Sequence, residues 1–151
     1  MKKHFTATAV VHRENGDVLL LFHRKLNCWL CPGGHVEADE LPHQAVLREI
    51  REETGLQATL LSQPVDWVQP DDHAQVLPQP MCMLAENIPD KQDGLHIHID
   101  FVYRALVSGQ PVLNERESKQ IRFFSPQEIE SLELIPNVRS VIRQSLRQAA
   151  G

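Results

Sequence analysis

The chain has 151 residues, 42% hydrophobic and 23% charged, with 15 basic against 20 acidic side chains and a net charge of −5. That length favours one domain over residues 1–151 with a real core. The acidic balance argues against a general nucleic-acid binder, which needs a basic face. It does not exclude a small phosphorylated substrate, because a divalent cation can bridge acidic side chains to phosphate.

No apolar run approaches the ~18–20 residues of a membrane span. The opening "MKKHFTATAVVHREN" is short in apolar residues, interrupted by threonines, and makes a poor signal peptide. The reading is a cytoplasmic protein without a membrane partner. Next, "TATAVVHRENGDVLLLFHR" reads as two strands joined at Asn15-Gly16, a strong hairpin signal. "CWLCPGG" follows as a short strand ending in a Pro-Gly-Gly loop. Its Cys28-x-x-Cys31 pair has no second C-x-x-C for a zinc site and no helix after it for a redox site. With three cysteines in all, a disulfide framework is not expected.

From Pro42 to Thr54 the pattern becomes helical, with proline in the first turn and Gly55 where a left-handed cap is wanted. At ~100° per residue, Val46, Ile50, His43, Thr54 and Leu47 form a core face. Glu49, Glu52 and Glu53, with Ala45, form an acidic stripe beside it. Like charges at such spacings repel, and a solvated face normally mixes signs. The preceding loop adds Glu37, Asp39 and Glu40. Oxygen ligands gathered on a helix beside a loop suit Mg²⁺ or Mn²⁺.

Beyond the helix, residues 58–68, 79–88 and 95–107 read as strands. The last alternates, with Ile97, Ile99 and Phe101 on one face and His96, His98 and Asp100 on the other. That polar triplet reads as a zinc site, as cavity lining or as a polar outer face. "KQIRFFSP" is a further strand, Ser125-Pro126-Gln127-Glu128 starts a short helical segment, and residues 137–149 form an amphipathic helix. Short turns between the sheet pieces predict a mixed sheet flanked by helices.

Gly34 to Leu56 resembles the Nudix box, G-x5-E-x7-R-E-U-x-E-E-x-G-U, with U a bulky aliphatic. Gly34, Glu40, Arg48, Glu49, Ile50, Glu52, Glu53, Gly55 and Leu56 fill every fixed position. "WLCPGGHVE" and "IRFFSPQEI" are similar to the family's segments before the box and before the last helix. The resemblance implies an α/β fold, an α/β/α sandwich on a central mixed sheet with a loop–helix–loop metal site. It implies a Mg²⁺- or Mn²⁺-dependent hydrolase that cleaves a diphosphate bond in a nucleoside diphosphate linked to another moiety. Glu49, Glu52 and Glu53 would be metal ligands with the Gly33 carbonyl, Arg48 would orient the acids, and Glu40 would order the loop. A carboxylate must take the proton of the attacking water; Glu49, Glu53 and Glu117 are the candidates. Arg24 would contact substrate phosphates, and His96 and His98 the substrate. Pro70 hints at ADP-ribose-like compounds. Many relatives dimerise, so a homodimer is compatible. The rival is a non-catalytic Nudix domain that senses a nucleotide and regulates a partner.

Overall fold

The computed structural model describes residues 2–90, 92 and 94–150. Strand β1 spans Lys3–His12 and β2 spans Val18–His23, with a loop between them in which Gly16 has φ +92°. Glycine reaches that conformation at no steric cost, so the Asn15-Gly16 hairpin forms where it was expected. From Thr6 to His12 all but one residue of β1 is buried. A central strand covered on both faces reads as a nearly continuous apolar run.

Its neighbours explain that burial. Strand β7, Gly94–Leu106, runs parallel to β1 over ten residue pairs. Strands β5, Thr59–Leu60, and β6, Cys82–Asp90, pair antiparallel with the far edge of β7. On its other side β1 pairs with β2 only at Val11↔Leu19 and His12↔Val18. The two strands then part. Strand β4, Gly33–His35, takes the β1 edge at residues 6–8, while β3, Trp29–Leu30, takes one edge of β2. Strand β8, Ser118–Phe124, takes the other edge of β2. The sheet is therefore mixed, as the short connections implied.

Helix α1, Pro42–Thr54, covers one face, where Val46 and Ile50 join Ala7, Ala9, Val11, Leu19 and Tyr103 in a core. Helices α2, Pro126–Ser131, and α3, Pro136–Ala150, cover the other face. There Ile129, Val138 and Ile142 pack on Val10, Val18, Leu20 and Phe124. Alternation along β1 decides the sides: odd residues face α1, and even residues face α3. Helix α2 is fixed by a capping box, in which Ser125 accepts from the Glu128 N–H and Glu128 accepts from the Ser125 N–H.

Three expectations are corrected. The strand anticipated over 58–68 is only two residues long. Pro64, Pro70, Pro78 and Pro80 lack the N–H that a ladder needs, and the chain leaves the β7 edge after Leu61 and returns at Met81. The Pro-Gly-Gly segment is not a loop, since Gly33 and Gly34 lie within β4. On β7 the polar face is the more deeply buried, with His96 and Asp100 both at 4% exposure, so it is not an outer face. No described helix is long and apolar enough to cross a membrane.

Candidate active site

Helix α1 ends as its sequence dictates. Gly55 takes φ +73° and its N–H donates to the Arg51 carbonyl at 2.8 Å. At the other end Leu41 offers no capping oxygen, but Gln44 accepts the Leu41 N–H at 2.8 Å. Along this rod Arg48 gathers the acids. Its guanidinium lies 2.7 Å from Glu40, 2.8 Å from Glu49 and 3.1 Å from Glu52, and donates to the His35 carbonyl at 2.9 Å. The fork geometry of arginine makes this sharing possible. Glu40 also accepts the Glu37 N–H, which ties the preceding loop to the helix. The Arg48 hydrogen bonds, with help from the Glu37 N–H, hold Glu40 below its ordinary range.

The three box carboxylates differ in environment. Glu52 is half exposed, at 54% for its side chain, against 14% for Glu49. Burial raises Glu49 even beside Arg48, because loss of water outweighs the pairing. Glu53 is 7% exposed, so the acidic stripe is not wholly a solvent face, and Ala45 beside it is fully buried. Glu53 accepts the Gly33 N–H at 2.9 Å and is still pushed up to about 8 by burial, reinforced by Glu49, Glu117 and Glu52.

The two glycines of β4 make this approach possible. A Cβ at Gly33 would stand 2.6 Å from the Ala7 carbonyl oxygen, and one at Gly34 would stand 2.5 Å from the Glu49 carboxyl carbon. Only bare backbone fits between β1 and the α1 acids.

A cavity of about 710 Å³ opens where β1 and β2 part. Glu53, Gly33 and Gly34 reach it from the α1 side, Glu117 and His23 from the β2–β8 side, and Val138 from α3. Its volume lies in the range of small-molecule sites. Glu117 is thus brought to the same cavity as Glu53, and its charge is among the causes that raise both Glu49 and Glu53. Arg24 is not brought in: it is absent from the lining, and its Nε donates to the Glu115 carbonyl at 3.0 Å. It ties down the loop before Glu117 instead.

Deeper in the cavity, Asp100 accepts from the Thr6 and Thr8 hydroxyls at 3.0 and 2.9 Å. Glu86, opposite His98 on β6, hydrogen-bonds Asp100, and burial beside that carboxyl pushes Glu86 up to about 7, while burial raises Asp100 as well. Cys31 also lines the cavity. Burial pushes its thiol up to about 12, and all three cysteines are free. A buried, protonated thiol is an inert one.

His96 and His98 come together with two residues that the sequence reading did not single out, His4 and His35. His4 stands opposite His98 in the β1–β7 register, and His35 stands opposite Thr6. Nothing local in the sequence announces this group, because it depends on pairing between segments about ninety residues apart.

For a divalent cation, Glu49, Glu52 and Glu53 offer an all-oxygen donor set of the hard kind that Mg²⁺ and Mn²⁺ select. Glu53, raised by burial and by the neighbouring acids, is the kind of carboxylate that a cation would relieve. The three do not crowd one point: among the described residues only His4, His96 and His98 bring three donor atoms within 4.8 Å of one another. Glu52 leans on Arg48 instead.

The family model for the NUDIX domain matches residues 2–145. The chain belongs to the NUDIX family. It is similar to a NUDIX-family hydrolase from Clostridium perfringens, 28% identical with a TM-score of 0.78 over 99% of each chain. It also resembles the phosphatase NudJ of Escherichia coli K12, 38% identical over 79 residues, covering 46% of this chain and 48% of NudJ. The NUDIX domain of NrtR from Shewanella oneidensis, solved with ADP ribose, shares the fold. Its TM-score is 0.68 at 20% identity, over 99% of this chain and 90% of that one. The chain spans less than half the length of the curated relatives it first matches.

Proposed function

We propose that this protein is a Mg²⁺- or Mn²⁺-dependent hydrolase of a nucleoside diphosphate linked to a second moiety. The observation that carries this is the meeting of Glu53 and Glu117 at one nucleotide-sized cavity, with the Arg48-held acids of α1 behind it. Glu49, Glu52 and Glu53 would hold the cation. Bound there, it would neutralise diphosphate charge and acidify the attacking water.

The chain's own groups do the rest. The bare backbone of Gly33 and Gly34 lets β4 lie directly against the α1 acids, which keeps Glu49 and Glu53 in place. Arg48 fixes Glu49 and Glu52 against mutual repulsion and stays fully charged, because Glu40 and Glu49 raise it further. Glu117, which reaches the cavity from the β2–β8 side, takes the proton as water oxygen bonds to phosphorus. The phosphoanhydride P–O bond breaks, and the leaving phosphate carries away the bonding electron pair. The α3 side of the cavity, with Val138 and Val141, supplies apolar surface for the rest of the substrate.

The deciding experiment incubates the purified protein with Mg²⁺ and a panel of nucleoside diphosphate derivatives, ADP-ribose included, with Glu53→Gln and Glu117→Gln in parallel. Chromatography of the products identifies the bond cut. Turnover of one compound that falls by roughly 10²–10⁴ in Glu117→Gln is the expected result. Ligand binding without turnover of any compound would replace this reading with that of a nucleotide-sensing domain.

A further inference from the structure

Beside the acidic site lies a second constellation of different chemistry, made of nitrogen donors on other elements. Strand register builds it. His96 and His98 are two apart on β7 and so share a face. His4 lies directly opposite His98 on the parallel neighbour β1. His35 lies opposite Thr6 on β4, which places it on that same face of the sheet. Four imidazoles from three strands therefore converge. Ring centroids are 4.8 Å apart for His4 and His96, 5.0 Å for His96 and His98, and 5.0 Å for His35 and His98.

We propose that His4, His96 and His98 form a binding site for a divalent transition-metal ion of the Zn²⁺ class, with His35 as the residue that orients His4. Each of the three offers a donor atom within 4.8 Å of the others. The Nε2 atoms of His96 and His98 stand 3.2 Å apart. Two nitrogens bound to one tetrahedral ion at ~2.0–2.1 Å stand about 3.3 Å apart, so this pair already has the spacing that such an ion imposes. Metal-bound histidines characteristically carry an outer hydrogen bond on the second ring nitrogen. His4 Nδ1 has one, at 3.3 Å from His35 Nε2.

A plain polar cluster accounts less well for His96. That ring is 4% exposed, and its Nε2 faces another imidazole rather than a carboxylate. Three nitrogen ligands leave a fourth position open, as catalytic rather than structural zinc sites do. His35 and His98 line the cavity, so the site is accessible from it. The set excludes Mg²⁺ by its chemistry, since hard cations select oxygen. One protein then holds two cation sites, told apart by donor type.

The test uses the whole protein, stripped with a chelator and titrated with Co²⁺ at neutral pH in excess Mg²⁺. Co²⁺ serves as a spectroscopic stand-in that Zn²⁺ then displaces. The expected result is one equivalent bound, with the visible bands of tetrahedral cobalt. His4→Gln and His98→Gln should weaken binding by more than about tenfold, and His35→Gln by roughly tenfold. Glu52→Gln and Cys31→Ser should leave the spectrum unchanged. Circular dichroism checks that each variant is folded, and half-buried His4 supplies an arm that does not disturb the interior. Absence of the bands, their survival in both His4→Gln and His98→Gln, or their loss in Cys31→Ser would overturn the proposal.

Discussion

A Cβ added at Gly34 would lie 2.5 Å from the carboxyl carbon of Glu49, and Arg48 holds that carboxylate from the other side at 2.8 Å. In Gly34→Ala the carboxylate must move while the rest of α1 stays. We expect hydrolysis to fall by about 10²-fold, since a displacement of order 1 Å is enough for that. Full turnover in Gly34→Ala would show that the position of Glu49 does not matter. The neighbouring change acts differently. At Gly33 the added carbon meets the Ala7 carbonyl oxygen at 2.6 Å, which is sheet backbone and cannot swing aside. Gly33→Ala should cost roughly 1–3 kcal/mol of stability, read from urea midpoints, as overpacking does. Arg48→Lys separates charge from geometry. One ammonium cannot serve Glu40, Glu49, Glu52 and the His35 carbonyl together. Steady-state kinetics should show a loss of about 10–100-fold, as for other orienting partners. Wild-type kinetics in the lysine variant would mean that charge alone suffices.

Elements were legible where local chemistry decides them. Helix α1 spans Pro42–Thr54 as anticipated, because its first-turn proline, its apolar period and Gly55 all act within a few residues. Gly55→Ala forces a side chain into φ +73° and should lower stability by ~1–2 kcal/mol in thermal melts. An unchanged melt would mean that the helix end refolds without its cap. The Asn15-Gly16 loop and the Ser125 cap were readable for the same reason. What local pattern could not supply was register. Alternation along β7 sorted histidines from isoleucines correctly, yet which face is inside depends on β1 pairing over Lys3–His12. The same pairing brings His4 to His98. A helical wheel set Glu53 on an acidic stripe, and its burial follows from β4 lying against the end of α1, which a wheel does not contain. Residues 58–68 looked like a strand by composition, whereas the prolines beyond Leu61 withdraw the N–H groups that would have paired. The Nudix box survived all of this because its spacing encodes both the helix and the acids on it.

Across the whole molecule, two groups of titrating side chains pull stability in opposite directions with pH. His12, His23, His35, His43 and His98 are all lowered, chiefly by burial, with His98 reaching about 4. They bind protons more readily in the unfolded chain, so their contribution is present above about pH 6.5 and is lost as pH falls below it. Glu53, at about 8, and Glu86, at about 7, are raised from an ordinary 4.5. Here the folded state holds the proton more tightly. Their contribution is full below about pH 4.5 and drains away as pH rises through 7 and 8. Between about pH 7.5 and 8.5 the histidines are neutral in both states, so the two raised glutamates, Glu53 above all, set the slope. The melting temperature should therefore decline across that interval in metal-free buffer. Glu53→Gln should flatten most of that decline. Mg²⁺ added at pH 8.5 should restore the wild type, because it binds ionised acids of the folded state alone. The same addition should do much less for Glu53→Gln. A rescue by Mg²⁺ equal in both proteins would place the cation away from Glu53 and remove the link between the buried carboxylate and the metal.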